Sequence, residues 1–494
     1  MTAGDALRYL LPELILLLTA AVVLALDLAG RREPAYQRQQ LPMIAIGGLL
    51  AALLATLILA IVGAPTRVAT MMSVDPLALF FKVIAVVGVG LVIASAVEYI
   101  PGRTPYVGEF YALLVTTALA ISVTVSANDL ILIYLGMEFL SITSYVLTGF
   151  LRRDHRSVEA ALKYFLYGAS ASAVMLYGMS LLYGATGATD LEAIARALSA
   201  RPTDELRWLG FPAIALLAVG FGFKASLVPF HQWAPDVYEG APTPITAFLS
   251  TASKATGFAI MVRVLTVGLP IFQGQAWVPI LAAISMVTMT LGNLVAIQQT
   301  NIKRLLAYSS IAQASYILIG LVALSAGPTF NGLDGLLIYL LAYLFTNLGA
   351  FLVVIAIENT TGAVDLPAYA GLVHRSPLLA AMLTIFLLSL AGIPPTGGFL
   401  GKFFVFGAAI RAQFLPLAIV AIVNSAIAAF YYLNIVRYMF LLPAPEGQSS
   451  TLTVTPVMQA TLWACVVMTL LIGVYAQPFI EWAMHSVTLL AATP

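Results

Sequence analysis

Fourteen stretches of this chain are long and oily enough to cross a membrane, and that pattern leaves little freedom of fold. A helical crossing needs roughly 20 predominantly apolar residues. The windows, spans 1 to 14, are about 9–29, 41–63, 75–99, 109–127, 129–150, 157–184, 209–230, 243–268, 276–299, 302–326, 333–358, 377–410, 413–440 and 457–478. Lipid offers no water to backbone N–H and C=O groups, so each span must satisfy them internally. The expected fold is an all-α integral membrane bundle of about 14 transmembrane helices. No basic segment precedes the first window, which therefore reads as a true span and not as a cleaved signal peptide.

Composition removes several functions. Of 494 residues 61% are hydrophobic and 9% charged, too few charges to cover a soluble surface. A net charge of +1 gives no electrostatic case for nucleic acid. The single cysteine, Cys465, excludes a disulfide framework, a thiolate zinc site and a protein-ligated iron–sulfur cluster. His155, His231, His374 and His485 are too scattered to grip one haem. No Gly-rich nucleotide fingerprint follows a strand, and "GATGATD" (184–190) reads as a loop between spans. The sequence therefore gives no basis for redox chemistry on this chain.

Basic residues in the connections set the expected orientation. With the N-terminus outside, the inner loops hold ten: Arg31, Arg32, Arg38, Arg103, Arg152, Arg153, Arg156, Lys303, Arg304 and Arg375. The outer loops hold five, Arg67, Arg196, Arg201, Arg207 and Arg411, with Arg8 on the short N-terminal tail. The bias places both termini outside.

Two spans are expected to be broken. Pro229 follows Lys224 in span 7, and Pro235, Pro242 and Pro244 make 229–242 an irregular stretch. In span 12, "AGIPPTGGFLGKFFVF" (391–406) interrupts a window too long for one straight crossing, and Lys402 follows at once. Spans 7 and 12 lie five apart. An odd offset makes helices related by such a repeat cross in opposite directions, so the expected halves are spans 4–8 and 9–13, inverted relative to each other. The match is imperfect, since the proline follows Lys224 and precedes Lys402. The expected segments are 1–107 (spans 1–3), 108–268 and 276–441 (the two repeats), and 456–494 (span 14).

The chain has six lysines, and Lys82, Lys163, Lys224, Lys254 and Lys402 all interrupt apolar windows. A charge at the bilayer centre costs at least about 2.5–3.5 kcal/mol on insertion scales, so it is kept when paired, hydrated or useful. Burial disfavours the charged form of a lysine, so such a residue can both gain and lose a proton. Lys224 lies deep in span 7 beside the break. Lys254 sits mid-span among Ser250, Thr251, Ser253 and Thr256. Lys402 is the only charge between Arg375 and Arg411. Glu138 is the carboxylate nearest the middle of a span, and Lys224 is its natural partner. For each lysine the alternative is snorkelling to the interface. Lys163, four residues after Glu159, equally suits a local ion pair. Lys82 has Asp75 seven residues before it and is expected to snorkel outward. His231, in the irregular stretch, could relay protons or simply sit at an interface. Lys303-Arg304 reads as an inner anchor.

"FKASLVPFHQWAPDVYEGAPTPITAFLSTASKATGFA" (223–259), "NIKRLLAYSSIAQASYILIG" (301–320) and "GIPPTGGFLGKFFVF" (392–406) resemble the antiporter-like membrane subunits of respiratory complex I, NADH:quinone oxidoreductase. Among these the resemblance is greatest to subunit N, the relative of mitochondrial subunit 2. It covers roughly residues 70–442. It implies two inverted five-helix repeats joined by a buried polar axis that carries protons. By position, Lys224 matches the lysine of broken helix 7 and Glu138 its partner on helix 5. Lys254 matches the connecting lysine of helix 8, and Lys402 that of broken helix 12. His231 falls at a bridging histidine, and Lys163 at a helix 6 lysine near the Glu–Lys pair. A lysine on helix 12 argues against subunit M, and the lack of a long amphipathic C-terminal extension against subunit L. Lys82 matches no family role. The resemblance further implies a non-redox subunit of a proton-translocating enzyme in a bacterial inner membrane. NADH, FMN, iron–sulfur clusters and quinone would be held by other subunits, and the partners would be other membrane subunits, including neighbouring antiporter-like ones, and the bilayer. Two alternatives stand beside this reading: a subunit of a multi-subunit cation/proton antiporter, and a non-pumping scaffold or quinone-binding membrane subunit.

Overall fold

The computed structural model describes residues 7–30, 39–63, 67–68, 70–200, 203–324, 331–444, 452 and 454–491. Arg31, Arg32, Arg38 and Arg201, used above for orientation, lie outside the described residues. Among the described residues there is no β-strand, only isolated bridges between loops. Among the described residues twelve helices are long and apolar enough to cross a membrane. They fall in the windows of spans 1–6, 8–11, 13 and 14. Span 7 runs as Thr203–Ala225 and then Trp233–Gly240; span 12 runs as Pro377–Ala391 and then Gly397–Arg411.

Short polar residues start these helices where the sequence turns from loop to apolar run. Asp75, Asp129, Asp154, Asn301 and Asn331 each accept a backbone N–H of the first turn. That satisfies donors which have no partner within the helix. The spans are not equally buried. Spans 8 (Thr243–Gly268) and 11 (Gly332–Thr361) are 100% buried across their most apolar windows and span 10 (Ile302–Val322) 94%, whereas spans 1, 2, 6 and 13 reach only 33%. The core therefore sits on spans 8, 10 and 11, and three of the interrupting lysines point into or beside it.

Three features depart from the sequence reading. The stretch 229–242 is irregular only to Gln232, because Trp233–Gly240 is helical. Pro235 lies in its first turn, where a missing N–H costs no hydrogen bond. The connection 185–208 holds a helix, Leu191–Ser199. A further helix, Gln477–Ala491, follows span 14 and packs on spans 3 and 11, with Trp482 against Phe80 at 4.5 Å between ring centroids.

The two broken spans are built alike. Each first half ends in a left-handed residue, Ser226 (φ 60°) or Gly392 (φ 87°). In each the next N–H reaches back five residues, Leu227 to Gly222 O at 2.7 Å and Ile393 to Leu388 O at 3.0 Å. A cis X-Pro bond follows in both, Val228–Pro229 and Pro394–Pro395. The loops that lead into spans 5 and 10 are also clasped alike. Leu130 N–H donates to Thr189 O and Leu191 N–H to Asn128 O; correspondingly Ile302 N–H donates to Val364 O and Leu366 N–H to Thr300 O.

One buried ion pair joins spans 1 and 3, and a second ties span 3 to span 8. Lys82 was expected to snorkel. It is instead fully buried, with Nζ 2.7 Å from Glu13 Oε1 of span 1. Span 1, packed on spans 2 and 4, brings its acid within reach of span 3, which removes the need to reach water. Arg263, late in span 8, holds Asp75 with two bonds of 2.7 and 2.8 Å. Asp75 also caps span 3 through Ala78 N–H. Arg263→Met leaves that carboxylate buried and unpaired, and is expected to cost about 3–5 kcal/mol. Adding Asp75→Asn, which removes the charge and keeps a capping oxygen, should recover part of the loss; thermal unfolding of the purified membrane assembly measures both.

Candidate functional site: a buried lysine axis

Breaking a helix in lipid releases carbonyls that must find donors. At span 12 the donor is Lys402. Its Nζ donates to Leu390 O (3.0 Å), Ala391 O (2.9 Å) and Ser425 Oγ (2.7 Å). The ammonium also lies 4.9 Å from the ring centre of Tyr316, within cation–π range. Gly392 makes the room. A Cβ there would come within 2.7 Å of Lys402 Cδ, and its φ of 87° already disfavours any side chain.

At span 7 the order is reversed. Lys224 precedes the turn, and the freed carbonyl of Phe223 is taken by the Trp233 indole N–H at 3.0 Å. Matching the turns at Ser226 and Gly392 sets Leu390 opposite Lys224 and Asp236 opposite Lys402. Lys224 is buried and makes one side-chain bond, from Nζ to Ser141 Oγ at 3.3 Å. Ser141 lies one helical turn beyond Glu138 on span 5. The expected Glu138–Lys224 pair is therefore not in contact, although the carboxylate is within Coulombic range of the ammonium. Glu138 is half-buried and accepts a short hydrogen bond from Ser172 of span 6. A serine hydroxyl has taken the place that the sequence reading gave to the lysine.

Lys254 begins the α-helical turn that follows a π-helical turn, Leu249–Ser253. Such turns are frequent at functional sites. Its Nζ donates to both the carbonyl (2.8 Å) and the hydroxyl (2.6 Å) of Ser310 on span 10. Three residues on, Gly257 lies against the stem of Lys224, where a Cβ would meet Lys224 Cγ at 3.1 Å. That glycine lets span 8 pack closely against the stem of Lys224 on span 7.

The stretch from Lys254 to Lys402 is bridged by residues that the sequence reading did not single out. Gln313, one turn after Ser310, donates to Leu390 O at 2.8 Å, the same carbonyl that Lys402 uses. It also donates to Tyr432 Oη at 3.1 Å and accepts a short bond from Tyr339. Tyr432 shares a short bond with Ser309. Tyr343 donates to Ser310 Oγ at 2.9 Å. Gln313 is uncharged, so a search for buried charge passes over it. The signal available was a run of hydroxyls and an amide, "YSSIAQASY", in a window meant for lipid or core.

A family of membrane proteins described as "NADH:quinone oxidoreductase/Mrp antiporter, TM" matches residues 127–428, which include every one of these side chains except Tyr432. NADH-quinone oxidoreductase subunit N of Heliobacterium modesticaldum is 44% identical over 83% of this chain and 84% of that one. The chain belongs to the subunit N family. Subunit N of Moorella thermoacetica is 42% identical over 95% of this chain and 96% of its own. Among solved structures, a chain of respiratory complex I from Thermus thermophilus superposes with a TM-score of 0.80 at 33% identity, covering 95% of this chain and 98% of that one.

Two residues assigned to the axis by resemblance to subunit N lie elsewhere or stand apart. Lys163 is not beside Glu138 and Lys224. It is 39% exposed, with Nζ 2.7 Å from both Glu159 and Asp236. Arg304 grips the other oxygen of Asp236 at 2.7 Å and Glu239 at 2.9 Å. The helix Trp233–Gly240 brings Asp236 to the rim, where it joins Glu159, the acid four residues before Lys163. His231 is buried in the turn between the halves of span 7, with Nδ1 lacking a hydrogen-bond partner. Lys303 is more than an anchor, being buried with Nζ donating to Ala241 O at 2.7 Å.

Gly392→Ala should cost roughly 1–2 kcal/mol from the left-handed backbone alone. It should also push Lys402 off the two carbonyls. The expected outcome is an assembled but less heat-stable complex whose coupled turnover falls, read by native gel, melting and quinone reduction in vesicles.

Proposed function

We propose that this chain is the proton-translocating, non-redox membrane subunit of an NADH:quinone oxidoreductase. It would couple quinone reduction in other subunits to proton transfer along the Lys224, Lys254, Lys402 axis. The observation that carries the reading is three buried lysines, each held by hydroxyls or carbonyls and not by a carboxylate. Such an ammonium has donors' partners but no fixed counter-charge, so its proton can leave without abandoning an anion in lipid. Membership of the subunit N family supplies the assembly and its electron-transfer partners: other membrane subunits, and elsewhere the NADH, FMN, iron–sulfur and quinone sites.

Glu138 is the switch in this reading. A carboxylate near a lysine favours the ammonium form, and Ser141, one turn along span 5 from Glu138, accepts from Lys224 Nζ at 3.3 Å. A conformational signal that moves Glu138 away makes Lys224 give up its proton toward Lys254, and on toward Lys402 through the Ser310–Gln313 region. Release from Lys402 by way of the second half of span 12 resets the cycle. His231, in the turn beside Lys224, relays protons, and Lys163 with Asp236 forms the rim of the inner mouth. The likeness of the two broken turns and the two loop clasps supports halves 108–268 and 276–441 related by inversion. The arginine bias supports both termini on the outer side of a bacterial inner membrane.

Lys402→Ala in the assembled complex tests this, with NADH-driven quinone reduction and proton uptake recorded together in membrane vesicles after native-gel assembly. Coupled turnover is expected to fall on the order of tenfold or more, the scale of losing one proton-transfer group. Unchanged turnover and proton yield would make the lysine structural.

A further inference from the structure

The buried axis is approached by a second polar route that none of the assignments above uses. On the arginine-rich face an open crevice of about 620 Å³ is lined by Tyr99, Arg103, Arg152, Asp154 and, at its floor, Glu358. Glu358 lies near the end of span 11. It accepts from Tyr99 Oη at 2.9 Å and makes a short hydrogen bond to the hydroxyl of Thr243. Thr243 is the first residue of span 8, the span that carries Lys254. Arg103 lies over the Tyr99 ring at 3.7 Å and holds Asn359 at 2.8 Å, which keeps the crevice wall in place.

From that floor, spans 8 and 11 run packed together into the core. Three helical turns along span 11 from Glu358, on the same face, comes Asn347; two turns along span 8 from Thr243 comes Ser250. These meet, with Asn347 Nδ2 donating to Ser250 Oγ at 2.8 Å. One further turn brings Tyr343 on span 11 and Lys254 on span 8, joined through Ser310. Polar residues thus recur at helical spacing on two facing surfaces of the most deeply buried spans. The π-helical turn Leu249–Ser253 lies within this seam. Asn347 Oδ1 is buried there with no hydrogen-bond partner. A buried amide oxygen of that kind is ordinarily satisfied by ordered water. Between the two rungs stands Phe351, edge-on to Tyr238 at 6.5 Å. An aromatic neck flanked by polar rungs conducts only when wetted, which is how apolar constrictions gate.

We propose that this seam is a second proton inlet, with Glu358 as its collecting carboxylate, delivering protons from the arginine-rich face to Lys254 without passing Lys224. The proposal rests on the proton-carrying reading of the axis. Glu358 exchanges protons with crevice water; Thr243 faces it at the head of the seam; Asn347 and Ser250 hold the water that hands the proton to Lys254. Each step moves one proton between oxygen or nitrogen atoms and needs no other reactant.

The test uses the assembled complex in vesicles, comparing Glu358→Gln, Glu358→Asp, Asn347→Leu and Lys402→Ala for assembly, NADH-driven quinone reduction and protons moved per NADH. Glu358→Gln and Asn347→Leu are expected to assemble, to slow coupled turnover on the order of tenfold, and to lower the proton yield. Glu358→Asp, which keeps a titratable group, is expected to restore most of both. If Glu358→Gln fails to assemble, Asn347→Leu decides. Normal turnover and yield in Asn347→Leu, or failure of Glu358→Asp to rescue, overturns the inlet. Lys402→Ala separates the two ideas. A defect there with normal Glu358→Gln and Asn347→Leu removes the inlet and leaves the axis, whereas normal behaviour in all variants removes both.

Discussion

A carbonyl released from a helix inside lipid has to find a donor within the protein, and much of this structure follows from how two such releases are answered. At span 12 the donors are an ammonium and an amide: Lys402 and Gln313 both reach Leu390 O. At span 7 the donor is an indole, Trp233, which leaves Lys224 free to point elsewhere and settle on a serine. The same turn is thus used in two ways. One break holds its lysine tightly on backbone, and the other leaves its lysine to the hydroxyl of Ser141, one turn from Glu138.

Two buried charges outside the proposed cycle are treated differently. Lys82 and Arg263 are buried as completely as the axis lysines, yet each has a carboxylate at 2.7 Å. A paired charge in a low-dielectric interior is locked, since moving its proton would strand the partner. The axis lysines bond to neutral oxygens, which solvate an ammonium without demanding one. This contrast sets Lys82 and Arg263 apart from Lys224, Lys254 and Lys402, although Lys303, buried on the carbonyl of Ala241, shows that a neutral partner alone does not make a carrier. The rim network of Lys163, Asp236, Glu239 and Arg304 lies between these extremes, half-exposed and multiply paired, where solvent weakens each contact.

The central position of spans 8, 10 and 11 links the parts. Span 8 carries Lys254, the Gly257 that seats Lys224, and the Arg263 clasp. Span 10 carries Ser310 and Gln313, and span 11 carries Tyr339, Tyr343, Asn347 and Glu358. Helical spacing lines these residues up on facing surfaces. That is why hydroxyls and amides scattered through three apolar windows come to face one another, interrupted by Phe351 between Glu358 and Asn347.

The sequence by itself determined the number and place of the apolar windows, the two breaks, and the lysines that interrupt them. Each of these depends on local chemistry: hydropathy, proline and glycine geometry, and the cost of charge in lipid. The "DVYEGAPTP" and "LAYSSIAQ" segments also made the family legible. Only the tertiary structure decided which acid each base would meet. Lys163 kept the Glu159 that helical spacing offered and added Asp236 from 73 residues away, Lys82 found Glu13 on another helix, and Glu138 itself is met by Ser172. It also decided that Gln313 and Glu358 belong to the story, because a neutral amide and a carboxylate at a helix end carry no mark in a one-dimensional reading. Partners separated by tens or hundreds of residues are chosen by how helices cross, and crossing is settled by small residues and packed side chains throughout the bundle.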